Sequence, residues 1–212
     1  MKPAIDQFKI FVERHTATNA LAQFVIQNFN VLCRGRDFLG WKHRRAPLQS
    51  EWSKTSYHNT LFIFTVREPG SWLRAMDQQT WNCQQPETNN LPFTELLTYP
   101  FEDYESIIHM WNEKYCSYIR MANEVPHAIF IKIEDFSENQ KSIYNELTQY
   151  LPASSNFQPL NSYLNGNHFQ VNRDHAHQNK EQPSFNHKDL MIINACLDKK
   201  LCAYFGYPQT FS

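Results

Sequence analysis

The sequence predicts an α/β domain with a mostly parallel sheet flanked by helices, and three features predict it. Short β-favouring apolar runs at residues 10–12, 60–66 and 128–133 alternate with stretches of helical apolar spacing. The run Thr-Leu-Phe-Ile-Phe-Thr-Val at 60–66 has no polar alternation, as a strand buried on both faces requires. The first run, Ile10 to Val12, stops at a charged, hydroxyl-rich turn and gives way to Leu21, Phe24, Val25, Asn28 and Phe29 at helical spacing.

Taken in order, residues 9–29 read as strand, tight turn and helix, with Thr18 or Thr16 able to cap the helix. Residues 30–34 suit a short second strand, and 35–37 a turn. Residues 38–45 carry Lys42, His43, Arg44 and Arg45 side by side, stopped by Pro47. Residues 48–59 are polar and irregular. After the strand at 60–66, Pro69 is placed for a helix start, with Trp72, Leu73 and Met76 as its apolar face. Residues 78–100 form a long polar loop. Tyr104, Ile108, Trp111, Tyr115 and Ala122 predict a helix over 102–124, their aromatic stripe serving the core. Pro126 closes it before a buried strand at 128–133, and Ser137 caps a helix to about residue 151. A second polar loop spans 152–187. Leu190, Ile193, Leu197, Leu201 and Phe205 then predict one last helix over 188–205, stopped by Gly206.

The 212 residues suit a single domain over 1–212, with no repeat and no internal boundary. A net charge of −1 excludes a global basic field for nucleic acid, so any anion site must be local. Residues 1–6 lack the basic and apolar regions of a signal peptide, and no apolar run reaches the length of a membrane span. The five cysteines are odd in number and contain no Cys-x-x-Cys pair. They read as reduced, mostly buried thiols of a cytoplasmic protein, a pattern that a lumenal domain would share.

The turn after the first strand carries Arg14, His15, Thr16, Thr18 and Asn19. A helix N-terminus offers unpaired N–H groups and partial positive charge, so basic and hydroxyl side chains beside it suit a phosphate. It is not a Walker loop. Gly35 and Gly40 have the glycine spacing, but Trp41 precedes Lys42 and His43 fills the Ser/Thr place. In such sheets ligands bind beyond the carboxyl ends of the strands, where Arg14, His15, Lys42, His43 and Arg67 all fall. Plainer readings stand beside these. Arg67 could pair with Glu134 or Asp135, and residues 42–45 could be a solvated basic loop. His175 and His177, with His168 and His187, lack cysteines and a clear carboxylate partner and read as a polar loop, not a metal site.

Three stretches together resemble the sulfotransferases that use 3′-phosphoadenosine 5′-phosphosulfate (PAPS). Glu13-Arg14-His15-Thr16-Ala17-Thr18-Asn19-Ala20-Leu21 is similar to their 5′-phosphosulfate loop. Val66-Arg67-Glu68-Pro69-Gly70-Ser71-Trp72-Leu73-Arg74-Ala75-Met76 looks like their 3′-phosphate motif, and Gly40-Trp41-Lys42-His43 with Pro47 like the segment that supplies the base. Trp111-Asn112-Glu113-Lys114-Tyr115, the stretch 130–136 and Phe205-Gly206-Tyr207 resemble the back half of bacterial members. The resemblance implies a P-loop-like sulfotransferase architecture and transfer of a sulfuryl group to a hydroxyl or amine, a saccharide among the acceptors, leaving adenosine 3′,5′-bisphosphate. Arg14, His15, Thr16, Ala17, Thr18 and Asn19 would face the 5′-phosphosulfate, and Arg67 with Ser71 the 3′-phosphate. His43, an imidazole, would accept the acceptor's proton, and Lys42 would add positive charge at the sulfuryl oxygens.

The chain departs from the pattern at three places. His15 stands where many members have a lysine, Ala17 where a glycine is common, and Ala75 where a serine usually helps hold the 3′-phosphate. Ala17 puts a Cβ where backbone approaches phosphate and disfavours positive φ. These departures leave two rivals open: a catalytically weak protein that holds a nucleotide or sulfated ligand on the same fold, and a P-loop-like kinase, against which the missing Walker lysine argues. Neither the acceptor nor the oligomeric state is legible.

Overall fold

The computed structural model describes residues 5–78, 85–154, 156–160 and 184–212. In chain order its elements are β1 (Gln7–Phe11), α1 (Thr18–Asn28), β2 (Leu32–Cys33), α2 (Gln49–Trp52), β3 (Thr60–Val66), α3 (Pro69–Gln78), α4 (Phe93–Leu96) and α5 (Ile107–Glu124). They continue with β4 (Ala128–Lys132), α6 (Ile133–Glu138), α7 (Gln140–Leu147), α8 (His187–Cys196) and α9 (Lys199–Tyr204). The chain forms two compact units, Met1–Val66 with Ser117–Gln178, and Arg67–Cys116 with Asn179–Ser212.

The first unit holds the sheet, four parallel strands in the order β2-β1-β3-β4. The α/β class with a parallel sheet and flanking helices is therefore as the sequence predicts. Register decides which side chains share a face. Ile10 pairs with Ile63 and Ile63 with Ile129, so Phe8, Ile10, Leu61, Ile63, Ile129 and Ile131 form one apolar face. That face packs with Leu21, Phe24 and Val25 of α1 and Ile143 and Leu147 of α7. Phe11 pairs with Phe64 and Phe64 with Phe130 on the opposite face, where Tyr118 stacks on Phe11 and Phe64. β3 is buried throughout, as expected, because β1 and β4 flank it. β4 is buried in alternation, not continuously, because Ile129 and Ile131 lie on the face covered by α1 and α7 while Ala128, Phe130 and Lys132 lie on the other.

The second unit is helical. Trp111 and Tyr115 lie at 4.6 Å between ring centroids, and Phe205 meets Tyr115 edge-on at 5.7 Å. Its last helical stretch is two helices rather than one. The chain breaks at Leu197-Asp198, where Asp198 caps α9 by accepting from the N–H groups of Lys200 and Leu201. Asn112 holds the break, donating to Cys196 O at 2.8 Å and accepting from Asp198 N at 3.0 Å.

Other expectations need correction. Residues 133–147 make α6 and α7, divided at Asn139, which caps α7; Ser137 lies inside α6 with its hydroxyl donating to Ile133 O. The helix expected from 102 begins at Ile107. The stretches read as irregular contain α2, α4 and two short 3₁₀ turns, Tyr57–Asn59 and Pro86–Asn90. Of the described cysteines all four are free, but only Cys202 is buried; Cys33 and Cys196 are half-buried and Cys116 is exposed. His168, Arg173, His175, His177 and Lys180 lie outside the described residues, as does Cys83. Among the described residues no helix is long and apolar enough to cross a membrane.

Candidate anion site in the turn after the first strand

The strand order reverses between β1 and β3: β2 lies on one side of β1 and β3 on the other. The carboxyl ends of those two strands flank the switch point at which open α/β sheets bind ligands. The turn that leaves β1 there has an unusual backbone. His15 and Ala17 both adopt left-handed conformations, with φ 59° and 46°. Left-handed residues alternating with others turn successive N–H groups inward, which makes a concavity suited to an anion. Ala17, expected to resist a positive φ, adopts one.

α1 follows directly, and its N-terminus is not closed by a side chain. Ala17 is the N-cap and has no side-chain acceptor to offer, and the first turn of the helix holds no acidic residue. Neither Thr16 nor Thr18 caps it, contrary to expectation. The Thr16 hydroxyl, buried, donates to Glu13 O at 2.6 Å and accepts from Thr65 Oγ1 at 2.9 Å. Thr16 thus fastens the turn to the end of β3, and its hydroxyl is spent on that. By contrast, α8 begins with a capping box in which Asn186 and Asp189 exchange hydrogen bonds.

The loop of residues 35–45 brings basic side chains to this turn. Val12 N donates to Lys42 O at 2.9 Å, which docks the loop on the chain just beyond β1. The Lys42 ammonium donates to Asn19 Oδ1 in the first turn of α1. Burial there pulls the Lys42 pKa below its ordinary 10.5. His43 sits edge-on to the Trp41 ring at 4.9 Å, and the Arg14 guanidinium lies 5.6 Å from the centre of that same ring. Arg14, His15, Thr16, Ala17, Thr18, Asn19, Lys42 and His43 therefore all belong to the first unit.

Arg14 differs in one respect. It is 6% exposed, and its Nη1 lies 3.3 Å from Oε1 of the fully buried Glu13, which also accepts from Arg14 N at 2.7 Å. Its charge is compensated within the protein. Sequence reasoning assigned no role to Glu13, Trp41 or Thr65. An acid beside a basic residue at a strand end was the available signal for the first. The others become visible only once the loop and β3 are in place.

Arg67 and Ser71 belong to the second unit and pair with each other: Arg67 Nε donates to Ser71 Oγ at 2.8 Å. Glu68 closes the N-terminus of α3, its carboxylate accepting from Gly70 N at 2.9 Å and Ser71 N at 2.5 Å. A Cβ on Gly70 would sit 2.6 Å from Cε1 of Phe211, so that ring would have to shift to admit one. Among the described residues no cluster of His, Cys, Asp and Glu is arranged to hold a metal ion. No protein-family model matches the sequence, and no curated protein matches it significantly.

Proposed function

We propose that the chain is a PAPS-dependent sulfotransferase with a P-loop-like architecture, acting on a hydroxyl or amine acceptor that a saccharide or another small molecule provides. The observation that carries the reading is the β1–α1 turn. Two left-handed residues lead into a helix N-terminus with no side-chain cap, and Lys42 is bonded into its first turn. That combination of a left-handed turn, an uncapped helix N-terminus and an ammonium suits a tetrahedral anion. The resemblance of residues 13–21, 40–47 and 66–76 to the sulfotransferase motifs turns an anion site into a phosphosulfate site.

In this reading the turn's N–H groups, Thr18, Asn19 and His15 hold the 5′-phosphosulfate, and Arg67 with Ser71 takes the 3′-phosphate. The acceptor oxygen attacks sulfur, the bond from sulfur to the phosphate oxygen breaks with its electron pair, and His43 takes the acceptor's proton. The chemistry is chiefly positioning and stabilisation of charge on the leaving phosphate. With Arg14 paired to Glu13, that stabilisation falls to Lys42 and His15. The same pairing favours a second reading, a binding protein with little transferase activity.

Thermal stabilisation by adenosine 3′,5′-bisphosphate, with ATP and AMP as controls, tests both. At about 100 times Kd the ligand adds roughly 2.7 kcal/mol, a shift of several degrees in Tm for a chain of this size. A shift with the bisphosphate that ATP does not match, reduced in Arg67→Ala and Lys42→Met, supports the nucleotide site. Product formation from PAPS then separates the enzyme from the binder. No shift at saturating bisphosphate removes both.

A further inference from the structure

Lys9 lies in the middle of β1, 2% exposed, among apolar neighbours. Its ammonium donates to Gly35 O at 2.5 Å and to Gly40 O at 2.8 Å, and lies 5.4 Å from the centre of the Phe11 ring. The two carbonyls stand at either end of residues 35–40, so one amine spans the first half of the loop that carries Lys42 and His43. That half ends in two consecutive left-handed residues, Leu39 at φ 61° and Gly40 at φ 84°. The loop's second half is fastened separately. Val12 N donates to Lys42 O, and the single proton of Tyr118 OH is shared between Val12 O and Arg44 O, both at 3.0 Å.

We propose that Lys9 is a positioning residue, which fixes the 35–40 half of this loop so that Lys42 and His43 are held against the β1–α1 turn. Its effect on ligand binding rests on the proposed function above; its effect on the loop does not. The alternative, that Lys9 merely fills the strand, does not account for a buried amine directed at two loop carbonyls. A methionine or leucine would fill the strand without the cost of desolvating an ammonium. Arg34, on the same loop, reaches Gln7 Oε1 and stacks on Phe38, so it holds the loop's entry but not Gly40.

The charge on Lys9 adds a signature. Burial is the largest influence and pulls its pKa down to about 8; Asp37 and Cys33 raise it, and Arg34 and Arg44 lower it further. Closing the loop over the amine desolvates it, so closure is linked to release of its proton, and the closed loop gains as pH rises from about 8 toward 10.5. Lys42 acts in the opposite direction on anion binding, since it must stay charged.

Hydrogen exchange of Lys9→Met and Lys9→Gln, followed segment by segment, tests the proposal. In Lys9→Met the amides of residues 36–45 should exchange about tenfold faster or more, while β1 and β3 keep their protection. In the wild type, loop protection corrected for intrinsic rate should rise from about pH 8 toward pH 10.5, and lose that rise in Lys9→Met. Lys9→Gln keeps a donor and should fall between the two. Unchanged exchange at 36–45, or equal loss in β1 and β3, overturns the proposal. Should Lys9→Met fail to fold, the pH dependence of the wild-type loop and Lys9→Gln decide it. A second arm measures adenosine 3′,5′-bisphosphate affinity in a double-mutant cycle. If Lys9 acts through Lys42, the double variant Lys9→Met/Lys42→Met binds no worse than Lys42→Met alone. Additive losses overturn that coupling. Absence of bisphosphate binding by the wild type refutes the proposed function, and the exchange arm still decides the role of Lys9.

Discussion

Replacing Ala17 by glycine should stabilise the protein, although glycine at a helix terminus usually weakens it relative to a capping residue. Ala17 has φ 46° and ψ 30°, is half-buried, and occupies the N-cap of α1 without a side-chain hydrogen bond. A residue with a Cβ pays about 1–2 kcal/mol in this conformation, which glycine does not. Against that relief, glycine frees the unfolded chain by roughly 0.4–1 kcal/mol. It also forfeits the packing of one half-buried methyl against the core below α1, about 0.5 kcal/mol at most. The net gain is about 0.5 kcal/mol, or roughly 1–2 °C in Tm. The assay is thermal unfolding followed by circular dichroism, with Ala17→Val and Ala20→Gly alongside. Valine cannot relax at positive φ and should lower Tm. Ala20, buried inside α1, should lose about 1 kcal/mol or more as glycine. The sign is what matters: the same substitution should stabilise at 17 and destabilise at 20. A fall in Tm with Ala17→Gly as large as that with Ala20→Gly would show that Ala17 is not held left-handed, and the argument for an anion concavity would go with it.

Thr65→Val should cost about 1 kcal/mol, since it leaves the buried Thr16 hydroxyl short of a donor while keeping the shape of the side chain; urea unfolding measures it. Glu68→Ala should cost about 1–2 kcal/mol, because Gly70 N and Ser71 N both lose their acceptor, and Glu68→Gln should recover part of that loss. Bisphosphate affinity should fall as pH rises through the lowered pKa of Lys42, since an amine without charge no longer attracts the anion. Calorimetric titration of wild type and Lys42→Met across that range checks that the limb disappears with the lysine. For Lys9 the sign is reversed in folding. Its pKa is about 8 in the folded chain against 10.5 when unfolded, so between those values the unfolded state binds more protons and stability rises with pH. Chemical denaturation at several pH values should show that rise in wild type and not in Lys9→Met.

Much of the fold was legible because period and burial coincide. Leu21, Phe24, Val25 and Asn28 recur at helical spacing, and each is buried in α1; residues 60–66 are apolar without alternation, and β3 has a strand on each side. The last helices misled for a physical reason. Leu190, Ile193, Leu197, Leu201 and Phe205 keep a helical spacing across the break at Leu197-Asp198, so the pattern does not register that the chain stops and restarts. Only Asp198, a capping residue in mid-pattern, marks it. β1 was read from Ile10, yet it begins at Gln7, because Gln7 and Lys9 are polar and buried. Their partners come from far along the chain: Gln7 Nε2 lies within 3.1 Å of acceptors on Ser56, Asn59 and Thr60, and Lys9 donates to Gly35 and Gly40. A local pattern cannot report a polar residue whose hydrogen bonds are closed by a loop 26 or more positions later. That limit does not apply to Glu13, whose partner is the next residue and whose signal was local. Paired with Arg14, it turns the residue that looks most like a phosphate ligand into half of an ion pair.

The two helices that follow β1 and β3 in sequence treat their N-termini in opposite ways. At α3 the chain supplies its own anion: the Glu68 carboxylate already occupies the first N–H groups. A phosphate there would have to displace a carboxylate tethered one residue before the helix, at high effective concentration. Any phosphate near α3 is therefore expected on side chains, the Arg67 guanidinium and the Ser71 hydroxyl that it already contacts, and not on the helix end. At α1 the chain supplies no acid in the first turn and no capping side chain, but it does supply a lysine. Glu68→Gln separates these cases. It removes the resident negative charge while leaving α1 untouched, so it should strengthen bisphosphate binding if the 3′-phosphate lies beside Arg67 and leave inorganic phosphate binding at the β1–α1 turn unchanged. Equal strengthening of both would place both anions at α3 and refute the assignment of the 5′ end to α1.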